Sequence, residues 1–282
     1  MLLAEEGKIP PLTVEKENQT VVHLSYLDGL RALAAMYVVV HHAGRQVTDV
    51  FKNKVALKMY FVAWFGHNAV DVFIVLSGFC LMLPVVRNNG VLKGSAKEFY
   101  IKRAKRILPT YYIAAAFSML LIVTLIDNNT NSYWHSTSPV TGWDLFTHFT
   151  LIQDIFPNSV AKINYAFWSI SVEWRIYFLF PLLVWCAAKW GSLRTTFTTI
   201  VLSVGLAALL TNSNLNINLD KNGINPHYIG LFSLGMLAAQ ISYSNKDIFV
   251  RLRNFKYWKT AFFCARCFIL RSLFYKRKMD IY

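Results

Sequence analysis

The sequence predicts an all-α, polytopic transmembrane helical bundle, and three observations carry that prediction. Of its 282 residues, 55% are hydrophobic and only 16% charged, against roughly 45–50% and about a quarter in soluble domains. Several apolar runs approach the roughly 20 residues needed to cross about 30 Å of hydrocarbon. The 29 Lys and Arg cluster between those runs, as they do in the cytoplasmic loops of membrane proteins. With a mean hydropathy of +0.37, the chain has too few charges to coat a water-facing surface. A disordered chain, a secreted disulfide scaffold and an ordinary cytosolic enzyme are excluded together. A net charge of +14 would suit a nucleic-acid binder. The clustering explains it better, so the expected partner is the lipid bilayer and no nucleic acid.

Residues 1–26 read as a soluble N-terminal tail. They hold Glu5, Glu6, Glu15 and Glu17 and show no basic region feeding an apolar stretch, so no cleavable signal peptide is expected. Residues 27–242 form the membrane domain. Its apolar segments are Leu27–Ala43, Gly66–Val86, Ile107–Ile126, Phe167–Ala188, Thr195–Asn212 and Pro226–Ser242. Trp143–Ile155 is apolar but too short to span, which makes it re-entrant or interfacial. Residues 243–282 form a basic C-terminal segment. Within it Trp258–Tyr275 reads as an incomplete further span, because Arg266 and Arg271 are costly at mid-bilayer. The total is six to eight spans, and the C-terminus suggests a fragment or an altered end.

Charge sets the orientation. Seven Lys or Arg lie between Arg87 and Arg106, whereas the stretch from Asp127 to Tyr165 holds three Asp and one Lys. The first loop is therefore expected in the cytoplasm and the second outside, with the N-terminus inside and the protein in the plasma or inner membrane. One loop conflicts: Arg45, Lys52, Lys54 and Lys58 fall outside in this scheme.

Ionisable groups inside membrane spans are expensive, so each is a candidate for function. Arg31 and His42 are eleven residues apart, which brings them to one helix face about 16 Å apart along the axis. Asp28 and Ala35 share that face, while His41 points about 100° away and reads as packing. In the second span, Asp71 sits where an unpaired carboxylate is disfavoured, and Ser77-Gly78 permits a close crossing or a bend. Lys102, Arg103, Lys105 and Arg106 are placed immediately before a helix with Pro109 in its first turn. Arg103 and Arg106 share a face and offer planar forks to the phosphates of a donor such as coenzyme A. A plain positive-inside cluster touching anionic lipid explains them equally well. Glu173 and Arg175 are two apart and cannot pair on a helix, so each needs its own partner. Cys80 and Cys186 fall in apolar runs. Cys264 and Cys267 form a CxxC with no second pair and no neighbouring His, which argues against zinc or redox chemistry, and no metal ligand is assigned.

Four segments, in order, resemble the membrane-bound acyltransferase 3 family. They are Leu27–Ala35 with ten residues separating Arg31 from His42; Val70–Phe79; Arg103-x-x-Arg106-Ile107-x-Pro109-x-Tyr111; and Trp168-Ser169-x-Ser171-Val172-Glu173. The resemblance covers about Leu27 to Ser242 and implies about ten spans. It also implies transfer of an acyl group, commonly acetyl from acetyl-CoA, to hydroxyls of extracytoplasmic sugars. The acyl-CoA serves as co-substrate, and no cofactor is permanently bound. Carried over by position, Arg31, His42, Arg103, Arg106 and Glu173 become the functional set. The expected catalytic residues are His42 and Glu173, with Arg31, Arg103, Arg106, Asp71 and Ser77 binding donor or acceptor.

The chemistry of the residues agrees. A sugar hydroxyl is a poor nucleophile until a base takes its proton, and a neutral imidazole is suited to that. Arg31, three turns from His42, is better placed to hold the donor than to touch the reacting carbonyl. A covalent acyl-histidine is not called for. Two rivals remain. One is a transporter or flippase for a sugar or lipid-linked substrate, since buried charges serve transport equally well, although no internal repeat is visible. The other is an inactive truncated homologue.

Overall fold

A computed structural model describes residues 24–50 (side chains to 44), 66, 68–126, 136–212, 223, 225–256 and 258. The N-terminal tail, the Lys52–Lys58 loop, most of the Asn-rich loop before Asn225, the Cys264/Cys267 pair and nearly all of Trp258–Tyr275 lie outside these residues. All regular structure among the described residues is helical: α1 (Ser25–Val50), α2 (Asn68–Arg87), α3 (Ala96–Thr124), α4 (Gly142–Phe149), a 3₁₀ turn (Gln153–Ile155), α5 (Trp168–Trp190), α6 (Ser192–Thr211), α7 (His227–Tyr243) and α8 (Asp247–Arg253). Four of them, α2, α3, α5 and α6, are long and apolar enough to cross a membrane. The sequence counted six. The other two expected spans, α1 and α7, are helical, but α1 carries Asp28, Arg31 and two histidines, and α7 has 17 residues.

One boundary differs from the expectation in a way that matters. The basic cluster was expected before the third span, yet α3 begins at Ala96 and holds Lys102, Arg103, Lys105 and Arg106 within it. Ser95 is the reason: its side chain accepts the Glu98 backbone N–H and starts the helix. Pro109 therefore lies inside the helix, not in its first turn. The arginines are held on a rigid helix face instead of a loop.

The core is built from α2, α5 and α7. Ile74, Met82, Val85, Phe180, Phe232 and Ala239 are almost wholly buried there. α2 and α7 run parallel, since Asp71 faces His227 near the start of both helices and Phe79 meets Tyr243 towards their ends. They also approach with backbones nearly touching. A Cβ on Gly78 would lie 2.1 Å from the Phe232 carbonyl oxygen, and one on Gly235 would lie 2.0 Å from that of Val75. This is the close crossing that Ser77-Gly78 suggested, and the missing side chains permit it. α1 packs on α2, where Gly66 abuts His41 closely enough to exclude a Cβ. α5 turns directly into α6 through Gly191, whose φ of 87° favours glycine. Apolar residues left outside the core, such as Ile113, Phe117 and Val123 on α3 and Phe197, Val201 and Leu209 on α6, are exposed and suit a lipid-facing surface.

The short segment between α3 and α5 is folded by polar contacts. Thr141 and Asp144 form a reciprocal capping box at the start of α4. Asp144 also accepts from the Ser159 hydroxyl at 2.6 Å. Burial pushes this carboxyl up, but the hydrogen bonds from Ser159 and Thr141 outweigh it and hold its pKa below the usual value. His148 contacts the Ser159 carbonyl oxygen through Nε2 at 3.3 Å and the Tyr111 hydroxyl through Nδ1 at 3.2 Å. A carbonyl accepts only, so Nε2 carries the proton, and the Tyr111 hydroxyl also donates to the His148 backbone carbonyl at 3.1 Å. Burial pushes the His148 pKa down to about 4, so the imidazole is neutral at physiological pH. Asp154, fully buried, takes a two-pronged ion pair from Arg175 of α5. Tyr112 adds a bond to the Phe149 carbonyl at 2.7 Å. Thus α3 and α5 clamp the segment on both sides.

Candidate active site

The candidate residues separate into two groups along the bundle. The first lines a cavity of about 250 Å3 that brings together Arg31 of α1, Ser77 and Cys80 of α2, Arg103 and Arg106 of α3, and Glu173 and Tyr177 of α5. Glu173 is held by hydrogen bonds from the Ser77 hydroxyl and the Tyr177 hydroxyl, both to Oε1. Ser77 is buried and reaches a neighbouring helix, not its own backbone. The Arg103 guanidinium lies over two aromatic rings, 5.6 Å from the Phe99 centroid and 5.9 Å from that of Tyr177. Those faces favour a cation. Its Nε is buried and finds no partner among the described residues. Arg31 pairs loosely with Asp28 at 3.8 Å, three residues before it on the same helix.

Three guanidinium groups against one carboxylate leave the cavity electropositive. A free carboxylate would pair with an arginine, but two hydroxyl donors already engage one Glu173 oxygen. Arg103 and Arg106 enter none of the described ion pairs, while Arg31 pairs only loosely with Asp28. Such an arrangement recognises phosphate or carboxylate in a bidentate manner.

The second group lies farther along α1. His42 sits eleven residues, or about 16 Å of helix rise, beyond Arg31. Its ring meets the Tyr165 ring edge-on, with centroids 4.7 Å apart. Tyr165 is buried and belongs to the turn that leads into α5. His41 contacts His42 at 5.1 Å between centroids and packs against Gly66. Asp71 lies outside the arginine cavity. It faces His227 at 3.9 Å, and both side chains are well exposed.

Five of the seven expected site residues thus meet in one cavity: Arg31, Ser77, Arg103, Arg106 and Glu173. His42 and Asp71 do not join them. Glu173 and His42, both expected to be catalytic, have different neighbours: Glu173 lines the arginine cavity and His42 meets Tyr165. Glu173 and Arg175 each have their own partner, as their spacing required. Sequence reasoning missed Tyr177 and Cys80, yet helical spacing held the signal. Tyr177 is four residues after Glu173 and Cys80 three after Ser77, so each shares a face with a residue already singled out. Tyr165, His227 and the Asp154–Arg175 pair join residues remote in sequence, and no local pattern announces them.

Comparison with known proteins completes the picture. Peptidoglycan O-acetyltransferase OatA of Listeria monocytogenes is 25% identical over 189 residues, covering 64% of this chain and 27% of OatA. Acyltransferase MdmB of Streptomyces mycarofaciens is 30% identical over 185 residues, covering 60% of this chain and 44% of MdmB. The chain therefore spans less than half the length of these curated relatives. No solved structure matches it. The family model described as "Acyltransferase domain" matches residues 24–277, nearly the whole chain. The chain belongs to the acyltransferase 3 family.

Proposed function

We propose that the protein is an integral membrane O-acyltransferase that moves an acyl group, acetyl in the first instance, from acyl-CoA to a hydroxyl of an extracytoplasmic carbohydrate or glycolipid. The observation that carries this reading is the convergence of Arg31, Arg103 and Arg106 on one cavity, with Glu173 held by Ser77 and Tyr177. That cavity suits the phosphates of coenzyme A. OatA, by its name, acetylates peptidoglycan, and an acceptor of the same kind, a polysaccharide hydroxyl, is the first choice here. The N-terminus and the Arg31 end face the cytoplasm in this reading, where acyl-CoA is made. The His42 end faces the acceptor.

The two groups divide the work. The arginines hold the donor at one end, and an extended donor arm carries the thioester along α1 towards His42. Neutral His42 takes the proton of the acceptor hydroxyl as its oxygen bonds to the thioester carbon. The carbon–sulfur bond then breaks, and the departing thiolate recovers the proton from the imidazolium. The products are an ester and free coenzyme A. Glu173 acts at the donor end, where its charge tempers the repulsion among the guanidinium groups and orients them. In this reading Glu173, expected to be catalytic, is a positioning residue.

The test is direct. Purified protein in nanodiscs, supplied with acetyl-CoA and peptidoglycan fragments, should release coenzyme A and form an alkali-labile acetyl ester. Failure to bind or turn over acetyl-CoA in correctly inserted protein would overturn the assignment.

A further inference from the structure

A second and larger cavity adjoins the first. Its volume is about 820 Å3, and it lies where α2, α5 and α7 end and α6 begins. Arg87 and Lys246 bring positive charge to its wall, and Asn89, Gln240 and Tyr243 bring amides and an aromatic ring. Ser192 lines it as well, the first residue of α6, whose N-cap Gly191 offers no side chain to its leading amides. No carboxylate lines the cavity, and none of the described ion pairs involves Arg87 or Lys246. The wall is thus cationic, rich in hydrogen-bond donors and uncompensated.

Size distinguishes the two cavities. Ligand pockets run from about 300 to 1,000 Å3, so the arginine cavity of about 250 Å3 is too small for a nucleotide-bearing donor. The second one is large enough. They adjoin across α2, which gives Ser77, Cys80 and Leu81 to the small cavity and Met82 and Val86 to the large one. Tyr243 bridges the interval, with its ring 6.2 Å from that of Phe79 and its hydroxyl 3.4 Å from that of Tyr26.

Resting on the acyl-CoA reading above, we propose that this large cavity seats the nucleotide half of the donor, with Arg87 and Lys246 on the ribose 3′-phosphate and Tyr243 against the base. Coenzyme A carries phosphate in two places, on its ribose and in its pyrophosphate bridge. Two adjoining cationic cavities match that division. The shared chemistry is an anionic phosphate ester, which an anionic lipid headgroup also presents.

The experiment compares the wild-type protein with Arg87→Gln, Lys246→Gln and the double variant in nanodiscs, using adenosine 3′,5′-bisphosphate as a ligand without the acyl arm. The wild type should bind it, and acetyl-CoA should displace it. Each variant should bind about ten- to a hundredfold more weakly, the value of a charge-assisted contact. The KM for acetyl-CoA should rise in parallel, while that for acetyl-dephospho-CoA, which lacks the 3′-phosphate, should stay unchanged. A merely structural defect would move both. Equal losses with both donors, or unchanged affinity for the bisphosphate, would overturn the proposal and leave the acyl-CoA reading standing. A wild type that binds bisphosphate but neither binds nor turns over acetyl-CoA would overturn that reading and, with it, the donor assignment of this cavity. Variants that lose only a preference for phosphatidylglycerol over phosphatidylcholine nanodiscs would assign the cavity to lipid and overturn the proposal.

Discussion

Adjacent histidines on one helix have different neighbours, and so they should respond differently to substitution. His42 meets Tyr165, whereas His41 lies against Gly66. Loss of a general base typically lowers rate by about 10²–10⁴-fold, so His42→Ala should reduce acetyl transfer by that order without preventing insertion. His41→Ala should leave turnover within severalfold of the wild type, as read by coenzyme A release. Full activity in His42→Ala would remove the base from the mechanism. In the arginine cavity, Arg103→Ala or Arg106→Ala should weaken acetyl-CoA binding by about 1–3 kcal/mol. Glu173→Gln keeps an acceptor for Ser77 and Tyr177 but removes the charge. It should therefore raise the donor KM more than it lowers kcat, which steady-state kinetics would separate. The arginines, Glu173 and Ser77 were legible in the sequence because charge or polarity inside an apolar run is conspicuous. Their convergence on one cavity, apart from His42, was only half legible. The Arg31–His42 separation follows from helix rise, but the join of Glu173 to Ser77 crosses 96 residues of chain, and no period or spacing encodes it.

Elements meet where side chains are absent or where polar groups are fully satisfied. Gly78→Ala would force a methyl group into the Phe232 carbonyl, and Gly235→Ala would do the same at Val75. Overpacking of this kind costs about 1–3 kcal/mol, so either variant should lower the unfolding midpoint in detergent. Gly29→Ala meets nothing within 4 Å and should be neutral or slightly stabilising, the control for a helical glycine. The segment between α3 and α5 should respond to acid. The His148 pKa falls from 6.5 to about 4 on folding, so above pH 6.5 both folded and unfolded forms are neutral. As pH drops from about 6.5 to 4, the unfolded chain gains a proton that the folded one refuses, and stability declines. A thermal-melt series across that window should show the loss, and it should shrink in His148→Gln. Helix existence was readable from apolar runs, and the boundaries less so. α3 starts eleven residues earlier than hydropathy placed it, because a cap residue and not lipid solubility decides where a helix begins. The polar fold around α4 was invisible to hydropathy, which registered only an apolar segment too short to span.

For the whole molecule, the proposed orientation, with the Arg87–Arg106 stretch in the cytoplasm, follows from charge alone and is a prediction. The membrane-impermeant labelling of single cysteines tests it. A thiol at Asn158, exposed beside α4, should react from outside intact cells, and one at Asn89 should react only after permeabilisation. The reverse pattern would invert the donor and acceptor ends together.

The pairing of distant helices also has a consequence for the order in which the protein is made. Ribosomal synthesis delivers Arg31 first and the α3 arginines next, while Glu173 emerges roughly seventy residues after them; at about 5–20 residues per second that is several seconds. During that interval the α3 arginines lack the Glu173 carboxylate that shares their cavity in the folded bundle, and α2 lacks the glycine face of α7 that it packs against. A chain interrupted before α5 would therefore hold the cationic wall of that cavity without its carboxylate.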